Sequence, residues 1–244
     1  MFDYLLNMNK FAAFLLLLFI GLSGCSGPIE YAIKSNQPAN FPTDFYRQAS
    51  QDNSSHVYKI DSRASKVVVR VRRGGLMAKL GHDHIVASQQ LQGFIYLDQT
   101  LGRCRADFFA PLATMEVDNL ELRAAAGMDT QPTAADIIAT GQNMLKSLEV
   151  GDFPFAQLHS RDCGNALVDL LVQIDFSLHG VKRSQLLSVN VDQTKTSELL
   201  ISGEFSVLQS DYGIQPFSIM NGLIRVEDRL DIAFDLIAKA AKKE

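Results

Sequence analysis

At 244 residues and a formal net charge of -4, the chain has room for one large domain or two small ones, and an all-β barrel alone fills such a length. Its composition, 47% hydrophobic and 20% charged, is that of a folded soluble domain, and the weakly acidic balance lacks the electrostatic footprint of a nucleic-acid binder. The densest basic run, "RVRRGG" at residues 70–75, alternates with Val69 and Val71 and reads as the wet face of a strand.

The chain opens on "FAAFLLLLFIGL" (residues 11–22), a hydrophobic run too short to span a bilayer comfortably and followed by small residues. Residues 1–24 are therefore expected to be a signal peptide. Asp3 sits awkwardly ahead of the run, and initiation at Met8 gives "MNKFAAFLLLL", with Lys10 near the amino end, so Met8 is the expected start. "LSGC" (residues 22–25) resembles a bacterial lipobox, which implies lipidation of Cys25, cleavage before it and an anchor of several acyl chains. Ser26 stands where aspartate would favour the inner membrane, so the expected location is the periplasmic leaflet of the outer membrane. The alternative is an ordinary secretory signal with a chance cysteine. Cys104 and Cys163 remain, a candidate disulfide in an oxidising compartment or two separate thiols.

Residues 25–56, rich in Ser, Asn, Gln, Pro and Asp, are read as a lipid-anchored tether, and residues 57–244 as the folded domain. "VYKIDSRASKVVVRVRR" and "LQGFIYLDQTLGRCRADFFAPLATMEVD" alternate and turn. Further strands are predicted over 156–159, 166–178, 185–192, 198–208, 220–227 and 229–238, each bounded by turn residues, with "VEDRL" (226–230) as a tight hairpin turn. One segment departs from this pattern. Thr133 precedes Asp136 by three residues, and Ile137, Ile138, Met144, Leu145 and Leu148 recur at helical spacing until Gly151 and Pro154 stop the run. The expected fold is all-β, an antiparallel barrel of about eight strands with one helix between strands.

The order of these pieces resembles the YceI-like family of lipid- and polyisoprenoid-binding proteins. The resemblance is carried by "YKIDSRASKVVVRV" (58–71), "LQGFIYLD" (91–98), "FPFAQLHS" (153–160), "VQIDFSLHGVKR" (172–183) and "FSVLQSDYGI" (205–214). Lys182 stands for the family's threonine and Tyr212 for its phenylalanine. The resemblance implies a lipocalin-like barrel holding an isoprenoid chain, a quinone tail or polyprenyl alcohol, in its lumen, with no cofactor and no catalytic residue. Inward candidates are Phe94 and Tyr96 on one strand, Ile174, Phe176 and Leu178 on another, and Phe205 and Val207 on a third. The competing view of each is a side chain that merely fills a solid core.

The resemblance leaves "KLGHDHIVAS" (79–88) unexplained. On a strand, His82 and His84 share a face about 7 Å apart, a spacing that suits two ligands of one metal, but a zinc site needs a third. His179 is a conceivable partner. The sequence carries no further metal-ligand framework and no nucleophile elbow, with Ser88 the nearby hydroxyl, so no metal is assigned. His82, His84 and His179 are candidates for polar groups at the barrel mouth, where His82 or His84 would meet a ligand head group; the plain reading of "LGHDH" is a polar turn or rim whose imidazoles hydrogen-bond nearby backbone. A metal-binding or hydrolytic protein built on His82 and His84 is the alternative.

Overall fold

Strands whose apolar residues recur at every second position must bury one face, and here they do so by closing on themselves. A computed structural model describes residues 36–52, 55–88, 90–98, 103–160 and 170–241. Its long strands are β1 (Ser55–Ile60), β2 (Lys66–Gly74), β3 (His84–Ser88), β4 (Gln92–Asp98) and β5 (Arg103–Pro111), followed by the short β6 (Glu116–Val117). After them come β7 (Phe155–Ser160), β8 (Leu170–Leu178), β9 (Val181–Lys195), β10 (Glu198–Leu208), β11 (Ser218–Ile219) and β12 (Ile224–Ala240).

Antiparallel pairing runs β1-β4-β5-β7-β8-β9-β10-β12, and β12 returns to β1 through Tyr58↔Ala240 and Ile60↔Ala238. The result is a closed eight-stranded barrel of the lipocalin-like kind expected from the sequence. The same edge of β12 pairs β2 from Arg225 to Asp235, and β2 carries β3 and β6 beyond it. A turn at Asp61, whose Oδ1 accepts the N–H groups of Arg63 and Ala64, separates β1 from β2. One bent stretch of chain thus closes the ring at one end and widens it at the other.

The expected helix is α3 (Ala134–Ser147), and its Thr133–Asp136 capping box is formed in both directions. Leu145 and Leu148 pack on the barrel core. Two further short helices were not expected. In α2 (Leu120–Ala125) Asn119 caps the N–H groups of Glu121 and Leu122. The other, α1 (Thr43–Ala49), lies within the segment read as tether. That reading needs correction for the part described: Tyr46 is buried, and Phe41, Phe45 and Tyr46 stack on aromatic residues of β4 and β5. The part of the proposed tether before residue 36, the signal segment and Cys25 lie outside the described residues.

"VEDRL" is not a hairpin turn. β12 runs straight through it, and the pairing with β2 slips between Val226 and Leu230 as a bulge. The polar residues that suggested a turn have other work. The Asp228 carboxylate accepts hydrogen bonds from the Ser210 N–H and hydroxyl, and the Glu227 carbonyl accepts one from Gln209 Nε2.

Candidate functional site

The barrel interior is hollow. A cavity of about 330 Å³ runs from Leu97, Cys104 and Leu199 toward His84, Gln209 and Phe217 at the opposite end of the strands. Its wall is supplied at alternate positions: Val67, Val69 and Val71 of β2, Ile95 of β4, Ala106 and Phe108 of β5, and Ile232, Phe234 and Leu236 of β12. The volume falls at the small end of ligand pockets, which span roughly 300–1,000 Å³. Polar groups are few. Thr140, Asn143 and Ser147 of α3, with Gln209 and His84, contribute polar side chains at one end.

Of the residues expected to face inward, Ile174, Phe176, Leu178 and Phe205 line the cavity. Val207 is buried in the surrounding core without reaching the cavity wall. Phe94 and Tyr96 point the other way. The inward phase of β4 is Ile95 and Leu97, while the Phe94 ring stacks on Tyr46 at 5.0 Å and Tyr96 meets Phe45 edge-on at 5.3 Å. The aromatic face was real, but its partner is α1 on the outside of the barrel.

The outer contact has a polar centre at Asp107. One carboxylate oxygen accepts the Tyr46 hydroxyl at 2.6 Å and Arg105 Nε at 2.7 Å, and the other meets His159 Nδ1 at 2.5 Å. The Arg105 guanidinium lies 4.6 Å from the centre of the Phe45 ring. Burial pushes the Asp107 carboxyl up, but hydrogen bonds from His159, Arg105 and Tyr46 outweigh it and hold the group below its ordinary value. Burial together with that same carboxylate raises Tyr46, which stays a hydrogen-bond donor.

The two histidines of "GHDH" part company. β3 begins at His84, so His82 precedes the strand and does not share a strand face with it. His82 Nδ1 is buried without a hydrogen-bond partner among the described residues, and the two rings stand 6.4 Å apart. Among the described residues there is no group of three or more His, Cys, Asp or Glu placed to hold a metal ion. Ser88, the hydroxyl considered for a hydrolytic alternative, lies four residues further along β3, about 13 Å away at strand rise.

His84 lines the cavity, and its Nδ1 is 2.7 Å from Asp118 Oδ2. Asp118 is fully buried, and its other oxygen accepts the Ile85 N–H at 3.0 Å and Arg123 Nη1 at 2.6 Å. A left-handed backbone at Asp118 (φ 53°) also directs its own N–H onto the Ile85 carbonyl at 2.7 Å. Arg123, also buried, continues to the Asp83 carbonyl and to Thr130. Burial raises the Asp118 carboxyl, and the bonds from His84, Ile85 and Arg123 more than reverse it, leaving the group below its usual value and ionised. The Asp118 carboxylate accepts the Nδ1 proton of His84 and orients the ring, which leaves Nε2 as the ring nitrogen available to a polar ligand group.

His179 does not join this cluster. With Gly180 it forms the two-residue turn between β8 and β9, both at positive φ. A Cβ at Gly180 would stand 2.6 Å from the Phe153 ring, so glycine is required there on two counts. The His179 ring packs on Phe153, and its Nδ1 is 3.1 Å from the Tyr212 carbonyl. Neither Asp118 nor Arg123 was singled out in the sequence, where "EVDNLELR" offers no spacing that ties them to His84. Cys104 is disulfide-bonded, and Cys163, its candidate partner from the sequence, lies outside the described residues.

The model of the YceI-like domain matches residues 58–238. Among solved structures, BcnA of Burkholderia cenocepacia superposes with a TM-score of 0.54 at 14% identity, covering 74% of this chain and 99% of its own. A polyisoprenoid-binding domain from Saccharophagus degradans gives 0.52 at 16% identity, covering 75% and 98%. No curated protein matches the sequence. At these identities the structural likeness speaks for the fold, and the sequence match over most of the domain goes further: the chain belongs to the YceI-like family.

Proposed function

We propose that this protein is a carrier that holds an isoprenoid chain in its barrel and performs no covalent chemistry. The observation that carries the reading is the closed barrel with a continuous apolar wall around a cavity of about 330 Å³. Water confined there finds few partners, whereas each buried methylene of a ligand contributes about 0.8 kcal/mol. The volume suits a short isoprenoid or one end of a longer one. The relative from Saccharophagus degradans, described as polyisoprenoid-binding, supports the same ligand class.

His84 gives the ligand a direction. With its Nδ1 proton held by Asp118, His84 keeps Nε2 for the polar head group of the ligand, such as that of a polyprenyl alcohol or a quinone. The lipobox-like "LSGC" supports an acyl anchor at Cys25, and Ser26 supports the periplasmic leaflet of the outer membrane as its address. Mass spectrometry of lipid extracted from protein purified out of a membrane-rich host tests the proposal. An isoprenoid released in near-stoichiometric amount is expected, and His84→Phe should lower the retained share of species with a polar head group. Clean protein carrying no isoprenoid would reject the carrier.

A further inference from the structure

The loop joining β2 to β3 and the loop that precedes β12 form one apolar tip at the cavity's open end. They are locked together: Met77 N–H donates to the Leu223 carbonyl at 2.9 Å, and a Cβ at Gly75 would lie only 2.4 Å from that oxygen. Gly75, at φ +92°, is the residue that lets the backbones meet. This close contact lifts large side chains into solvent. Leu76 is 93% exposed, and Leu80, Ile219 and Met220 are also well exposed. Phe217 is 37% exposed and also lines the cavity, so the cavity reaches the surface beside this tip.

Charge selects the occupant. Residues 75–81 and 217–223 contain no carboxylate; the nearest along the chain, Asp83 and Glu227, stand at the base, where Asp83 accepts the Arg73 N–H and Glu227 packs against Gly74. Lys79 sits exposed among the apolar side chains, and Arg225 stands at the base of the tip. A protein partner would commonly meet exposed leucines within a polar rim of both signs. Leucine, isoleucine, methionine and phenylalanine around a lysine, with the carboxylates kept to the base and a lipid-sized cavity beside them, match the boundary of an anionic bilayer, where apolar side chains enter roughly 5–10 Å and lysine meets phosphate.

We infer that the tip formed by residues 75–81 and 217–223 inserts into the surface of an anionic phospholipid bilayer and presents the cavity mouth to it. The inference rests on the carrier reading, because it supplies the route by which a lipid enters without crossing water. The chain contains no tryptophan, so one introduced indole reports its own surroundings. Full-length L76W, reconstituted in phosphatidylethanolamine–phosphatidylglycerol vesicles, should emit at shorter wavelength than in detergent-free buffer and lose intensity when the acyl chains are brominated. L171W, on the exposed wall of β8, should keep its emission. Placing L80W in a background of Leu76→Asp and Met220→Asp should abolish the quenching seen for L80W alone. Unquenched L76W, or equal loss from L76W and L171W, would overturn the inference. Lipid analysis of the same samples separates the two claims: isoprenoid bound with L76W unquenched rejects the docking tip alone, and quenching without any isoprenoid supports the tip while rejecting the carrier.

Discussion

Asp118 holds together three things that the sequence keeps apart: the edge of β3 at Ile85, the guanidinium of Arg123 and the ring of His84. Replacing it with asparagine leaves the shape and removes the charge. The buried Arg123 would then face a neutral amide, and breaking such a pair typically costs about 3–5 kcal/mol. Asp118→Asn should therefore lower the unfolding free energy by an amount of that order in urea titrations, and a change below about 1 kcal/mol would show the pair to be dispensable. The same chemistry sets the acid limit. Asp107 and Asp118 both sit below the ordinary value of 3.8, so their contribution to stability is complete above that pH, where the unfolded groups are also ionised. It is lost progressively as pH falls below 3.8 through the lower folded values. Thermal melts between pH 7 and pH 2 should show a plateau and then a steep acid arm, and Asp118→Asn should flatten that arm. None of this was readable from "GHDH". The two-residue spacing of His82 and His84 suggested shared ligation, but the strand begins two residues too late for that, and the group that orients His84 comes from a turn more than thirty positions away.

At the scale of elements, β4 shows where sequence patterning fails and why. "LQGFIYLD" is apolar in both phases, because Ile95 and Leu97 face the lumen while Phe94 and Tyr96 face α1. Period-two alternation identifies the inner face only when the outer face is wet, and here a helix covers it. By contrast β8 alternates cleanly, with Gln173 and Asp175 outward, and its inward set Ile174, Phe176 and Leu178 was legible. The covering helix was obscured because it is a single short element in a polar segment, and its stability comes from tertiary contact rather than propensity. Tyr46 is the centre of that contact. Tyr46→Phe preserves the stacking on Phe94 and removes the hydrogen bond to the Asp107 carboxylate, a loss of roughly 2 kcal/mol for a charge-assisted bond. The expected result is a lower melting temperature and faster tryptic cleavage after the exposed Arg47. Unchanged cleavage would mean that the aromatic contacts alone secure α1.

For the whole molecule, the chain's three cysteines tie the proposed anchor to the stability of the barrel. Cys104 projects from β5 at the end of the cavity opposite His84 and is disulfide-bonded. A thiol alkylated by diacylglyceryl cannot enter a disulfide, so an acyl anchor at Cys25 obliges Cys104 to pair with Cys163. Two proposals drawn from separate stretches of sequence therefore stand or fall on one peptide map. Non-reducing digestion should yield a single peptide pair joining Cys104 to Cys163, together with an N-terminal peptide whose Cys25 carries the mass of the acyl groups. A Cys25–Cys104 linkage would remove the acyl anchor and leave the apolar tip as the one proposed membrane contact. The predicted crosslink closes a loop of about sixty residues, for which the chain-entropy estimate is about 4 kcal/mol. Reduction should then destabilise the barrel by a comparable amount in denaturant titration, with little change in the bound lipid while the protein stays folded. That separation is expected because in the proposed carrier the apolar wall, and not the crosslink, holds the ligand.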